Sequence, residues 1–253
     1  MGRASRAKDL RRKQRPECCL GCGVRLPLTR EHIVADWIRR ALENEAAVEG
    51  PGRWVLVSGD AIKSHTQDFA RFEIAGYVLC HNCNTGWSSR LEVLAGGATQ
   101  PLLDTPRVTS ALAASEQRVL AAWFAKMAIL NDFVDGHQAE ERSRQLLEPV
   151  VREFVPPAET IVWLGALQRH RFFSHGWWRA TFGPEVVHAI SIADLLGVVL
   201  LDPAHVRTSA NFRVNSATFV RAWPGPAEAW WPCQQRTTMD ELNRMFSVRP
   251  RID

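Results

Sequence analysis

The chain has 253 residues, of which 46% are hydrophobic and 23% charged, and its net charge is +4. This composition is typical of a globular protein whose core needs no disulfide support. The longest aliphatic run, residues 195–201, is far shorter than the roughly 20 residues that cross a bilayer, and the basic N-terminus leads into no apolar stretch. We therefore expect neither a membrane protein nor a secreted one, but a cytoplasmic protein with reduced cysteines.

Positive charge is concentrated near the N-terminus. Residues 1–40 contain 11 Arg or Lys against 4 Asp or Glu, a net charge of +7, which leaves −3 for the rest of the chain. Residues 1–16 are polar, basic and without periodicity, which indicates a flexible arm. Such an arm either only aids solubility or attracts a polyanion such as nucleic acid.

Short predicted elements alternate with cysteine pairs between residues 17 and 94. The first C-x-x-C pair is followed by the segment LTREHIV, residues 28–34, which contains Glu31 and His32. The apolar pattern then predicts a helix at 36–47 and strands at 54–58 and 69–79. The second strand runs into the second C-x-x-C pair. A helix at 84–94 follows, and we expect Gly96 and Gly97 to end it.

The remainder of the chain has a different pattern. A buried helix is predicted at 115–134, and a second from about 138 that is interrupted at Pro149 and ended by Pro156 and Pro157. Gly, Pro and Asp residues then separate five predicted strands, at 160–164, 171–182, 186–192, 198–201 and 217–223. Thr238 and Glu241 have the spacing of a capping box and open a short last helix. The pattern predicts an α+β domain, residues 106–253, whose role the sequence does not indicate.

The two C-x-x-C pairs predict a metal site formed by four residues, Cys19, Cys22, Cys80 and Cys83. At this spacing a turn brings both sulfurs of a pair onto one tetrahedral Zn²⁺ ion. A redox C-x-x-C or buried free thiols are alternatives, but either leaves one pair unexplained. Cys18 and Cys233 remain outside the set and are interpreted as packing residues. His81 lies between two of the predicted ligands and is a possible substitute for either.

The order of these motifs resembles the HNH endonuclease family in its zinc-containing, ββα-metal form. The resemblance consists of a C-x-x-C knuckle, then Glu31 and His32 at a strand end, then a second C-x-x-C followed at once by Asn84 and, in the segment CNTGW, by Trp87. It covers about residues 17–95. It implies a treble-clef-like ββα-metal domain, residues 17–105, with a structural Zn²⁺ and a bacterial or phage origin.

The resemblance also implies roles for three residues. His32 corresponds to the general base that activates water, while Glu31 and Asn84 correspond to the ligands of a catalytic divalent cation. Oxygen ligands of this kind suit Mg²⁺ or Mn²⁺. The implied activity is hydrolysis of phosphodiester bonds in nucleic acid, with DNA as the expected substrate and with 5′-phosphate and 3′-hydroxyl ends. Arg30 and Arg90 are candidates for contacts with phosphate, or are solvated surface residues.

Other interpretations of the same residues stay open. A Glu-His pair is common on solvated surfaces, and an asparagine in the position of Asn84 can simply cap a helix. Many HNH enzymes carry an Asn or His in the second strand, and residues 72–79 have neither. This difference favours a second interpretation, a catalytically inactive zinc-containing module that binds nucleic acid. A protein-interaction module with a purely architectural zinc site is a third.

Overall fold

The computed structural model describes residues 15–35, 37–38, 52–58, 61–67, 75–104, 110–168, 175–182, 185–192, 195–201, 219–225, 228–231, 236–238, 241–242 and 244–245. The strands within this part of the chain are β1 (Leu28–His32), β2 (Gly52–Ser58), β3 (Ala61–Gln67), β4 (Ala75–Cys80), β5 (Ser110–Ala113), β6 (Thr160–Ala166), β7 (His175–Phe182), β8 (Glu185–Ile192), β9 (Leu195–Leu201), β10 (Phe219–Trp223) and β11 (Glu228–Trp231).

Helical structure begins directly after β4. A helical turn (His81–Cys83) and a π-helical turn (Asn84–Ser88) lead into α1 (Ser89–Asp104). Two long helices follow, α2 (Ala114–Val134) and α3 (Glu140–Glu153). The chain is therefore a mixture of helix and sheet, which confirms the predicted α+β class.

A seven-stranded sheet in the order β10-β6-β9-β8-β7-β2-β3 is the largest element of the described fold. Of the neighbouring strand pairs in this sheet, β2 and β7 are parallel and the others are antiparallel. Although β2 and β3 belong by sequence to the predicted domain 17–105, they extend the sheet formed by the second half of the chain. Two smaller antiparallel pairs, β1 with β4 and β11 with β5, complete the described strands.

Helix α2 covers one face of this sheet, and 16 of its 21 residues are buried. It lies close to the sheet at Gly197 on β9, where a Cβ atom would lie only 2.4 Å from the ring of Phe124. The alternation of β9 sends Leu195 and Val199 into the core beneath α2, and Leu196 and Val198 into a second apolar cluster on the opposite face. Strand β9 is thus buried on both sides, as its continuous apolar sequence suggests.

Two predicted helix boundaries are wrong. Helix α1 does not end at Gly96 and Gly97 but continues to Asp104, because a stripe of buried residues runs through the glycines at spacings of three and four: Leu91, Ala95, Ala98 and Leu102. Helix α3 likewise continues through Pro149 to Glu153, and the capping residue that follows, Phe154, adopts the left-handed conformation with φ 53°. Burial of Leu146, Leu147 and Val150 holds the helix together on both sides of the proline.

Several predictions fall largely outside the described residues. These are the basic arm, of which only residues 15 and 16 are described, most of the helix at 36–47, residues 69–74 and 171–174 of two strands, and Cys233.

Within the described part, the capping box is confirmed: the backbone N–H of Thr238 donates to Glu241 Oε2 at 2.8 Å, and that of Glu241 to Thr238 Oγ1 at 3.2 Å. Among the described residues, no helix has the length and hydrophobicity that a membrane span requires.

Candidate metal centre and candidate active site

Four thiols converge at the end of the β1/β4 pair, those of Cys19, Cys22, Cys80 and Cys83. Their sulfur atoms all lie within 4.8 Å of one another, and Cys22 Sγ is 3.9 Å from Cys80 Sγ. A tetrahedral zinc ion with Zn–S bonds of about 2.3 Å requires sulfurs about 3.8 Å apart. The cluster therefore has the composition and size to hold a metal ion, as the two C-x-x-C pairs predict.

A tight turn positions the first two thiols. The backbone N–H of Cys19 donates to Val24 O, and that of Gly23 donates to Cys19 O, at 3.0 and 2.8 Å. Gly23 has φ 72°, a left-handed conformation that favours glycine. The turn is fixed to β4 because the N–H of Leu20 donates to Val78 O at 2.9 Å. The sequence C-x-x-C-G therefore encodes the turn as well as its ligands.

The thiols are buried to different degrees, and this affects their protonation. Burial raises the pKa of Cys19 and Cys83. Burial acts in the same direction on Cys80, but hydrogen bonds from the Cys83 backbone and the neighbouring thiols lower its pKa. Metal ligands must be thiolates, and burial disfavours the negative charge of a thiolate. A bound cation would supply the positive counter-charge that stabilises it. The neighbouring Cys18 is half-buried and lies outside the cluster.

The knuckle also contacts the second half of the chain. The carboxylate of Glu140, the first residue of α3, accepts hydrogen bonds from the backbone N–H groups of Glu17 and Cys18, at 2.7 and 3.1 Å. A Cβ atom on Gly23 would lie 2.6 Å from Arg144 Nη2 on the same helix. Helix α3 therefore supports the turn that presents Cys19 and Cys22.

Asn84, directly after the last cysteine, lies against β1. Its side-chain Nδ2 donates to Thr29 Oγ1 and to the backbone oxygen of Arg30, both at 3.1 Å. The ladder between β1 and β4 shifts register between Thr29 and Arg30, and β1 ends at His32. The asparagine amide therefore holds the strand immediately before Glu31 and His32, which brings the three predicted catalytic residues into one region of the fold.

Comparison of the chain with protein-family models, with curated proteins and with solved structures finds no match. What the site can do therefore follows from its own residues.

Glu31 is only 2% exposed and is engaged in an ion pair. Its Oε1 atom lies 2.5 Å from Nζ of Lys126 and accepts a hydrogen bond of 2.8 Å from the hydroxyl of Ser88. The same ammonium group donates to Ser88 Oγ at 2.6 Å and to Glu92 Oε1 at 2.8 Å. We call these four residues the Lys126 cluster.

The electrostatics of this cluster depend on burial and pairing. Burial alone would lower the pKa of Lys126, but Glu31 and Glu92 raise it, which keeps the ammonium charged. Burial raises the pKa of Glu92, while Lys126 opposes this shift and Glu31 and His32 add smaller effects of opposite sign. The pKa of Glu92 therefore depends on the charges of Lys126, Glu31 and His32.

Three of these residues were missed by sequence reasoning, although two had a detectable signal. Ser88 and Glu92 follow Asn84 at intervals of four, which places all three near one face of the helical segment. Glu92 also lines an open groove of about 460 Å³, together with Trp37, Gly96, Gly97 and Gln100. Lys126 had a weaker signal, a lone charge in the middle of an apolar helix, which gives no indication of its partner.

The predicted nucleic-acid contacts lie at the surface. Arg30 and Arg90 are both exposed. Arg30 is paired in register with Tyr77 on β4, and the guanidinium of Arg15 lies 4.0 Å from the centre of the Tyr77 ring. The exposed ring of Tyr77 thus lies across from Arg30 on the β1/β4 pair and in contact with the guanidinium of Arg15.

A second buried polar network lies further along α2. Asp132 Oδ1 accepts a hydrogen bond of 2.6 Å from Arg179 Nε and lies 3.0 Å from His188 Nε2, while Trp177 Nε1 donates to His188 Nδ1 at 3.0 Å. Burial alone would raise the pKa of Asp132, but the interactions with His188 and Arg179 lower it to about 2. All four side chains are buried, so the network joins α2 to β7 and β8.

Proposed function

We propose that the chain is an HNH-type, metal-dependent endonuclease that hydrolyses phosphodiester bonds in DNA. The proposal is supported above all by the position of Asn84, whose amide bonds to β1 directly before Glu31 and His32. A thiol cluster, an antiparallel strand pair and the helical segment that begins at His81 lie next to these residues. We assign the cluster to a structural Zn²⁺ and residues 17–105 to a ββα-metal domain of treble-clef type.

The proposed chemistry gives each side chain one task. His32, at the end of β1, removes a proton from the attacking water. A divalent cation held by Glu31 and Asn84 would relieve negative charge on the scissile phosphate and the leaving oxygen. Asn84 has a second task that its contacts support, which is to fix the backbone of Arg30 next to His32. This contact substitutes for the asparagine or histidine that many HNH enzymes carry in the second strand.

The arginines around the site provide the proposed contacts with substrate. Arg30 and Arg90 are exposed and suited to bind phosphate oxygens, and Arg15 and Tyr77 lie beside Arg30. The exposed ring of Tyr77 offers a surface on which a base can stack. Nucleic acid is therefore the partner that these side chains favour.

Cleavage of supercoiled plasmid tests the proposal. Zinc-loaded protein with millimolar Mg²⁺ or Mn²⁺ should nick or linearise the DNA and leave 5′-phosphate ends, and EDTA should stop the reaction. His32→Ala should reduce the rate by about a hundredfold or more, because it removes the general base. His137→Ala, which removes an exposed histidine in the second half of the chain, serves as the matched control and should cleave normally. Equal rates for His32→Ala and the wild type, with zinc retained, would refute the assignment.

One observation favours a second function. The ion pair between Glu31 and Lys126 engages the carboxylate that the catalytic cation needs. A zinc-containing module that binds nucleic acid without cleaving it would show this arrangement. It would bind DNA in a salt-dependent manner and release no cleaved product at any divalent cation concentration.

A further inference from the structure

Lys126 brings a full positive charge into the protein interior, because its side chain is 0% exposed. The residues on either side of it in α2, Ala125 and Met127, are also fully buried. An ammonium group in such surroundings must be paired and hydrogen-bonded to remain charged. Its partners are therefore part of the reason for its presence in the core.

Those partners form a compact set of oxygen atoms. Nζ of Lys126 lies 2.5 Å from Glu31 Oε1, 2.6 Å from Ser88 Oγ and 2.8 Å from Glu92 Oε1. The Ser88 hydroxyl donates to Glu31 Oε1, so its oxygen accepts from the ammonium. Two carboxylates and a hydroxyl thus surround one cation that the chain itself supplies.

The same oxygen atoms are of the kind that bind hard divalent cations. A single ammonium group can neutralise only one of the two carboxylate groups. The groove beside Glu92 gives this side of the cluster access from solvent, and the Glu92 side chain is 22% exposed. A cation from solution and Lys126 would therefore need the same oxygen atoms.

We propose that the ammonium group of Lys126 occupies a cation position formed by Glu31, Glu92 and Ser88, and that it competes there with divalent cations. Divalent cation affinity in the intact protein is then limited by the displacement of Lys126. The inference goes beyond the proposed function, since it concerns cation binding and stands whether or not the chain cleaves DNA.

Manganese titration of zinc-loaded protein, followed by electron paramagnetic resonance of the free ion, tests this competition without DNA. Lys126→Met should gain one Mn²⁺ site per chain that binds at least about tenfold more tightly than any site of the wild type. Adding Glu31→Gln to Lys126→Met should remove the gained site. Arg118→Met, an exposed cation on the same helix, is the control and should behave as the wild type does. Equal Mn²⁺ binding by Lys126→Met and the wild type would overturn the proposal, as would a gained site that survives Glu31→Gln.

A second measurement covers the loss of stability expected for Lys126→Met, in which two buried carboxylates lose their counter-charge. The melting temperature of Lys126→Met should rise with Mn²⁺ by mass action, and more steeply than that of the wild type. Adding Glu31→Gln should remove this response. A melting temperature of Lys126→Met that Mn²⁺ does not raise would also overturn the proposal.

Discussion

The thiol cluster and the Lys126 cluster lie at opposite ends of the same strand, β1. Each brings side chains from distant parts of the chain together around the position of a cation, but the source of the cation differs. The thiol cluster contains four side chains suited to a metal ion and no cationic side chain among its members. The Lys126 cluster has its cation built in, an ammonium group on α2.

The difference has a consequence for folding. A metal ion can hold β1, β4 and the knuckle together only after it has bound. The stability of this part of the fold therefore depends on the supply of metal ion. Lys126 joins Glu31 and Glu92 to α2 as soon as the chain folds, and so connects the predicted nuclease region to the core of the second half.

Loss of a thiol ligand should have the largest effect. Cys80→Ser removes one of four sulfurs and should abolish tight zinc binding, which is worth roughly 10 kcal/mol in small zinc domains. We expect the zinc content to fall from one per chain to almost none, with early melting of the N-terminal region. Elemental analysis and circular dichroism measure the two effects. The control is Cys18→Ser, which should keep its zinc, and a Cys80→Ser protein that retains one zinc per chain would exclude the four-thiol site.

Loss of the built-in cation should have the next largest effect. Lys126→Met leaves Glu31 buried without its counter-charge, and such changes destabilise proteins by about 3–5 kcal/mol. Arg118→Met, on the same helix but exposed, should change the free energy of unfolding by less than about 0.5 kcal/mol. Urea denaturation measures both variants. If Lys126→Met were as stable as Arg118→Met, the ion pair would not contribute to the fold.

The buried network around Asp132 should make stability depend on acid. Because folding lowers the pKa of this carboxyl from 3.8 to about 2, its contribution is present above about pH 4 and is lost as the pH falls towards 2. The shift corresponds to about 2 kcal/mol. Between pH 5 and 2, the free energy of unfolding should therefore change less with pH for Asp132→Asn than for the wild type. An equal pH dependence in the two proteins would show that the pKa of Asp132 is the same in the folded and unfolded states.

Two glycines should respond to alanine in opposite directions. Gly23→Ala forces a side chain into the left-handed conformation of the knuckle and should cost about 1 kcal/mol. Gly97→Ala lies in the exposed interior of α1 with open space around its Cβ position, and should stabilise the protein by up to about 1 kcal/mol. Thermal unfolding of the two variants, side by side, tests both. A destabilised Gly97→Ala would contradict the continuous helix through this residue.

The sequence predicted well what depends on short-range patterns. Spacing alone brought the four thiols together, and apolar periodicity located α2, β6 and β8 to within a few residues. It failed where long-range packing overrides a local signal, as at Gly96, Gly97 and Pro149, where buried stripes carry the helices onward.

The Lys126 cluster was not predicted because its members are far apart in the chain. Lys126 is 38 positions from Ser88 and 34 from Glu92, and Ser88 is 57 from Glu31. A charge in an apolar helix signals that a partner exists, but only the packing of α1 against α2 identifies it. The pairing of β2 with β7 is hidden for the same reason, since parallel strands distant in sequence carry no mark of their register.

Equilibrium dialysis of zinc-loaded wild-type protein against micromolar Mn²⁺, followed by elemental analysis, most directly tests the contrast between the two clusters. The expected result is one zinc per chain on the thiols and almost no manganese, because Lys126 already neutralises Glu31. One tightly held manganese per chain, lost in Glu31→Gln, would contradict the claim that the chain supplies its own cation at this site.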